Sequence, residues 1–137
     1  MQMVPIPTRL DYLAKTAPHW LPFISRIAHR SKETVPSLLG MIKRLEVQLI
    51  MAWDEHADKA VALMGVRRWM RSDGMIGELI WMTGTRRNEW QPLLPELERF
   101  LKETGCVEIR PICRPGWSRI LADKGYRTTH VIMEKRL

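Results

Sequence analysis

Cysteine is scarce. Cys106 and Cys113 are the only two in 137 residues. They stand at a predicted strand with an odd spacing, which sends side chains to opposite faces and disfavours a bridge. Both are expected to be buried free thiols. No Cys and His positions have zinc-ligand spacing, so no metal site is expected. Long apolar runs are also missing. No stretch approaches the roughly 20 residues that a membrane-spanning helix needs. Residues 1–10 carry Pro5, Pro7 and Arg9 where an export signal would have an apolar segment. No membrane partner is expected, and a cytoplasmic location is. Repeats and low-complexity segments are absent. With 45% hydrophobic and 27% charged residues, the composition argues against disorder, and the length fits one domain.

Negative charge is the next shortage. Fifteen Asp and Glu face 22 Lys and Arg, for a net charge of +7. Such a balance suits an acidic partner: nucleic acid, a phosphate-rich cofactor or an acidic protein surface. The basic residues are spread out, with short clusters at Arg67-Arg68, Arg86-Arg87 and Lys135-Arg136. No nucleic-acid motif accompanies them, so nucleic acid ranks last among the partners and a solvated basic surface is expected. Tryptophan is plentiful instead, six in all. Trp53, Trp69, Trp81, Trp90 and Trp117 cannot all be central, and some are expected at an interface.

Residues 1–46 read as helical. Leu10, Leu13, Ala14 and Ala17 recur at helical spacing after Thr8, a candidate N-cap. Pro18 and Pro22 predict a break near residues 19–22. Phe23, Ile24, Ile27 and Ala28 make a second stripe. Leu38, Leu39, Ile42 and Leu45 make a third, after Thr34 and with Pro36 in the first turn. The pattern changes at Val47. Residues 47–53, 60–70 and 75–83 read as three strands of an antiparallel meander, with Gly65 marking a bulge or a close backbone approach. Ser72-Asp73-Gly74 is a turn signal. Residues 89–104 read as a helix, with Trp90, Leu93, Leu94, Leu97 and Leu101 on one face and Gly105 closing it. A strand over 106–112, a short helix over 115–123 and a final strand centred on 130–133 complete the order. This predicts one α/β (α+β) domain: a helical part over 1–46, then a core over 47–137 whose mixed, mostly antiparallel sheet is flanked by helices.

Several short segments are distinctive. They include Thr104-Gly105-Cys106 between helix and strand, Lys124-Gly125-Tyr126 at a corner, and the closing Val131-Ile132-Met133-Glu134-Lys135-Arg136-Leu137. With this element order, they resemble the GNAT family of N-acetyltransferases. Trp90-Gln91-Pro92-Leu93-Leu94, Arg114-Pro115-Gly116-Trp117 and Gly125-Tyr126-Arg127-Thr128-Thr129-His130-Val131 resemble, more narrowly, small GNAT-like proteins of tailed phages and prophages.

The resemblance implies acetyl-CoA as cofactor, with its pyrophosphate cradled after the third strand by a Gln/Arg-x-x-Gly-x-Gly/Ala loop. The matching stretch is Gly84, Thr85, Arg86, Arg87 and Asn88. Aligning Arg86 with the first position puts Glu89 and Gln91 where the small residues belong. A carboxylate there repels phosphate, and both side chains obstruct its approach. Glu78 falls where many members place the general base, although a strand Glu among charged neighbours is more often simply solvated. Leu121 occupies the position of the usual tyrosine acid, and Tyr126 is expected to pack. His130 is a weaker candidate proton carrier. Arg114-Pro115-Gly116-Trp117 either shapes a pocket or seals the core.

The expectation is a phage-encoded GNAT-fold protein that is degenerate for acyl-CoA and acts as a virion or assembly component. Other virion proteins or a second copy would be its partners, and the host cytoplasm or the virion its location. The alternative is an active acetyl-CoA-dependent N-acetyltransferase acting on a small amine or protein.

Overall fold

The computed structural model describes all 137 residues. Strand β1 (Gln2–Pro5) is followed by helices α1 (Leu10–Ser31) and α2 (Val35–Lys43). Three strands come next: β2 (Gln48–Asp54), β3 (Lys59–Arg71) and β4 (Gly74–Gly84). A one-turn helix α3 (Arg87–Trp90), a 3-10 turn and α4 (Leu94–Glu103) lead to β5 (Cys106–Pro111) and α5 (Pro115–Ala122). The five strands form one sheet in the order β1-β2-β3-β4-β5. The first three pairings are antiparallel, and β4–β5 is parallel. A parallel neighbour needs a crossover, and α3 and α4 supply it. No helix is long and apolar enough to cross a membrane.

Alternation along the strands builds a core on each face of the sheet. Leu49, Met51 and Leu63 face α1 and α2, where they meet Trp20, Phe23, Ile24, Leu38 and Ile42. Ile50, Ala52, Ala62 and Met64 face the other way, toward Trp90, Leu94, Leu97, Leu101 and Leu121. Strands buried on both sides read as continuous apolar runs, as the sequence of β2 does.

The alternation slips where Val61 is an extra residue on β3 opposite the Ala52–Trp53 step, and again at the position that Gly65 marked in the sequence. Val66 pairs with Leu79 and Gly65 with Trp81, so Ile80 is an extra residue on β4. Leu79 therefore belongs to one core, while Trp81, two positions on, belongs to the other. Gly65 is required opposite: a Cβ there would sit 2.6 Å from the Trp81 ring.

Five expectations are corrected. The helix does not break at residues 19–22; α1 runs 22 residues straight through Pro18 and Pro22. Each interior proline costs about 3 kcal/mol. Both face solvent, where water can satisfy the freed carbonyls. The stripe of Leu13, Trp20, Phe23, Ile24, Ile27 and Ala28 is buried across the predicted break, at about 1.5–3 kcal/mol for each large side chain. Thr8 is not the cap; Arg9 is, without a side-chain hydrogen bond. The helix predicted over 89–104 is divided near Pro92 and Pro95, whose missing N–H groups favour fresh helix starts. The final strand does not form: residues 127–137 have neither helix nor strand, and all are exposed. The structure adds β1, and it exposes Cys113 while burying Cys106.

Candidate functional site

The bulge at Ile80 also marks where β4 and β5 part. Their last paired residues are Leu79 and Pro111, and the Ile112 N–H donates to the Leu79 carbonyl at 3.0 Å. Beyond that point β5 turns away toward α5, while residues 80–84 of β4 stay paired with β3 alone. One edge of β4 is thereby left without a strand. A cleft of about 790 Å³ opens there. Its floor is Met82, Thr83 and Gly84, and Trp90 and Trp117 line it as well.

Two floor residues are informative. Gly84 is forced by packing, because a Cβ would lie 2.5 Å from the Ala62 Cα and from the Val61 carbonyl oxygen. Thr83 is 4% exposed, and its hydroxyl has no hydrogen-bond partner. A buried hydroxyl without a partner costs about 1–3 kcal/mol, and native structures keep few of them.

Four arginines surround the cleft: Arg30 from the end of α1, Arg86 and Arg87 at α3, and Arg114 before α5. Arg30, Arg87 and Arg114 have no carboxylate partner. Arg87 lies over the Trp117 ring, 5.4 Å from its centroid, and Trp117 stacks at a tilt on Trp90 with centroids 5.9 Å apart. Arg-Pro-Gly-Trp thus shapes the cleft wall and joins the core at the same time.

Arg86 is different. Its backbone adopts the left-handed conformation, φ 55°, which costs a non-glycine residue about 1 kcal/mol. Two carboxylates hold it. Its Nη1 donates to Asp54 Oδ2 at 2.5 Å, and its Nε donates to Glu89 Oε2. Asp54 also accepts the His56 and Ala57 amides at 3.0 and 3.2 Å. The Arg86 guanidinium, then the Ala57 amide, hold the Asp54 carboxyl down at about 2. The same carboxylates, Glu89 first, raise Arg86. Thr85 is tied by its amide to the Val61 carbonyl at 2.8 Å, and its own carbonyl accepts Trp90 Nε1 at 2.9 Å. The phosphate loop expected from the sequence is therefore closed by the chain's own groups. Glu89 serves as a carboxylate clamp on Arg86.

The catalytic candidates lie elsewhere. Glu78 is on the paired half of β4 and does not line the cleft. It is not the solvated strand residue the sequence suggested: its side chain is 9% exposed. Arg67 Nη2 donates to its Oε1 at 2.7 Å, Trp69 Nε1 donates to its Oε2 at 3.2 Å, and Arg110 Nη1 lies 3.8 Å away. Arg67, Glu78 and Arg110 are register partners across three strands, so the row follows from the pleat. His130 lies outside the cleft, on the exposed segment after α5, with only Thr129 Oγ1 2.9 Å from its Nδ1. Leu121 is core, and Tyr126 packs beside it as expected. Burial, then Glu98, raise the Tyr126 phenol.

An acyl-CoA fits this site in part. The open edge of β4, the unpartnered Thr83 hydroxyl and the three free arginines suit a long anionic ligand. The closed Arg86 loop, with Glu89 and Gln91 in place of small residues, does not suit a pyrophosphate. Sequence reading missed Thr83 and Arg30, which only the fold brings to the pocket that Arg114-Pro115-Gly116-Trp117 was read as shaping. It also missed Asp54 as the partner of Arg86, because 32 positions separate the two.

No protein-family model matches the sequence, and no curated protein is significantly similar to it. Solved structures are. The chain superposes on the ribosomal-protein-alanine N-acetyltransferase of Brucella melitensis biovar Abortus 2308 with a TM-score of 0.71 at 9% identity, covering 100% of this chain and 99% of that one. Against the aminoglycoside N-acetyltransferase AAC(6')-Iy in complex with CoA the TM-score is 0.69 at 12% identity, covering 99% and 93%. Against a GNAT family acetyltransferase of Staphylococcus aureus it is 0.64 at 15% identity, covering 100% of each. At these identities the likeness establishes architecture: the chain has the fold of the GNAT acetyltransferases. Fold by itself does not assign a reaction.

Proposed function

We propose that this chain is an acetyltransferase-fold protein that performs no acetyl transfer and serves as a virion-associated or assembly component of a phage or prophage. The observation that carries the non-catalytic part is the state of Arg86. The side chain that would receive a cofactor phosphate is already neutralised by Asp54 and Glu89. Glu78, the candidate base, is held by two arginines and a tryptophan, and a leucine stands where the acid would be. The assembly part is supported by the phage-like sequence segments and by Trp69, which stays 36% exposed beside half-exposed Arg67.

The second reading is an active acetyl-CoA-dependent N-acetyltransferase. The orphan Thr83 hydroxyl on an open strand edge favours it. Titration calorimetry with acetyl-CoA separates the two. The first reading expects no heat of binding, together with recovery of the protein in purified particles. Micromolar binding that Arg86→Ala weakens would overturn it.

A further inference from the structure

The cleft leaves two sets of groups without partners. The first is backbone. The Thr85 amide donates to the Val61 carbonyl at 2.8 Å, and the register continues with Gly84 opposite Ala62 and Thr83 opposite Leu63. Bonding alternates along an antiparallel ladder. Thr83 therefore turns its amide and carbonyl toward β3, while Met82 and Gly84 turn theirs toward the open edge. β5 leaves that edge at Leu79, so no strand receives them. Two residues apart, these groups form a template for an extended chain.

The second set is charge. Arg30, Arg87 and Arg114 come from three places in the chain, are exposed, and have no carboxylate partner. Arg86 is already neutralised by Asp54 and Glu89. The Thr83 side chain stands with Leu63 on the sheet face toward α1. Its hydroxyl is buried there without a partner.

The two sets together select an occupant. A phosphate backbone brings acceptors alone, and would leave the carbonyls of Met82 and Gly84 unpaired. A polypeptide brings donors and acceptors at strand spacing, and acidic side chains on it would meet the free arginines. We propose that the cleft takes an acidic, extended segment of a partner protein, which adds to β4 along residues 80–84 in the place that β5 gives up. The proposal rests on the reading that the chain performs no acetyl transfer, and names the partner that such an assembly component would hold.

The probe is an end-blocked pentapeptide, Glu-Val-Glu-Val-Glu, titrated into the full chain by calorimetry, with amide exchange followed by NMR. It is expected to bind, and Gln-Val-Gln-Val-Gln to bind at least about tenfold more weakly. Arg30→Gln with Arg87→Gln keeps both stems at exposed positions, so the fold should stand while affinity falls about tenfold. Thr83→Val should weaken binding about threefold and raise the urea midpoint of the free chain, because the orphan hydroxyl is gone. Exchange of the Met82 and Gly84 amides should slow at least about tenfold at saturation. No heat from the acidic peptide at about 1 mM, with none from acetyl-CoA either, overturns the proposal and leaves the non-catalytic reading in place. Heat from acetyl-CoA overturns that reading, and the proposal with it. Equal affinity for the two peptides, unchanged affinity in the arginine variant, or protection that spares Met82 and Gly84 overturns the proposal alone. An oligothymidylate that displaces the peptide from those amides assigns the cleft to nucleic acid and overturns it as well.

Discussion

The two halves of β4 lie on one strand and solve opposite problems. Residues 75–79 are paired on both edges, and the polar group among them is fully engaged: Glu78 meets Arg67, Trp69 and Arg110. Residues 80–84 are paired on one edge, floor a cleft, and include a buried hydroxyl with no partner. The boundary is one inserted residue, Ile80. A single bulge therefore divides a structural segment from one with unspent hydrogen-bonding capacity. The candidate base falls on the structural side. In this fold a carboxylate on β4 acquires its role from its neighbours on β3 and β5, and here those neighbours are arginines.

The largest effect is expected where the open half meets β3. Gly84→Val would drive a side chain into the Val61–Ala62 backbone, which cannot yield as a flexible side chain can. Overpacking of this kind costs up to about 3 kcal/mol, and urea denaturation would read it as a lowered midpoint with unchanged slope. A loss near zero would mean that the β3–β4 pairing at the cleft is looser than the structure shows.

Glu78→Leu comes next. It leaves Arg67 and Arg110 facing each other without their anion. Removing one member of a buried pair costs 3–5 kcal/mol. Arg67 is half exposed, which reduces the expected loss to about 2 kcal/mol. Glu78→Gln keeps an acceptor for Trp69 and should cost about half as much. A Glu78 serving as a catalytic base would behave differently: both substitutions would leave denaturation midpoints in place and abolish any acetyl transfer.

Much of this contrast was open to sequence reading, and the rest was hidden for definite reasons. The three central strands were legible because alternation and the Ser72-Asp73-Gly74 turn bound them, and Gly65 announced the bulge. Counting forward from β4 located the Arg86 loop. β1 was not legible, because four residues ending in proline show no period. The continuity of α1 was hidden by Pro18 and Pro22, whose cost is outweighed by burial that only tertiary packing reveals. The same limit applies at Glu78: its partners come from other strands, and register cannot be read from one strand alone. The segment after Tyr126 reads as a strand, yet residues 127–137 form none and are exposed.

The closed loop can be opened on purpose. Asp54→Asn with Glu89→Ala removes both charges from Arg86. If these carboxylates are what excludes phosphate, acetyl-CoA should give a heat of binding with the double variant where the parent chain gives none. No heat from either would show that the missing small residues alone close the cradle.

The smallest effect is a pH dependence, and its sign is fixed by Asp54. Its folded carboxyl titrates at about 2, against an ordinary value of 3.8. A depressed acid stabilises the fold in full above its ordinary value and loses that contribution as pH falls through its folded one. The parent chain should therefore lose stability between pH 3.8 and about 2 through this group. Asp54→Asn should be less stable at neutral pH, and its melting temperature should fall less over the same interval. Glu78 lies on the other half of β4 and shares no partner with Asp54, so its substitution should leave the Asp54-dependent part of that acid transition unchanged. Parallel melting curves for parent and Asp54→Asn across the window would show that Arg86 is not clamped by Asp54 in solution. The division of β4 into a satisfied half and an available half would then have to be drawn without the closed loop.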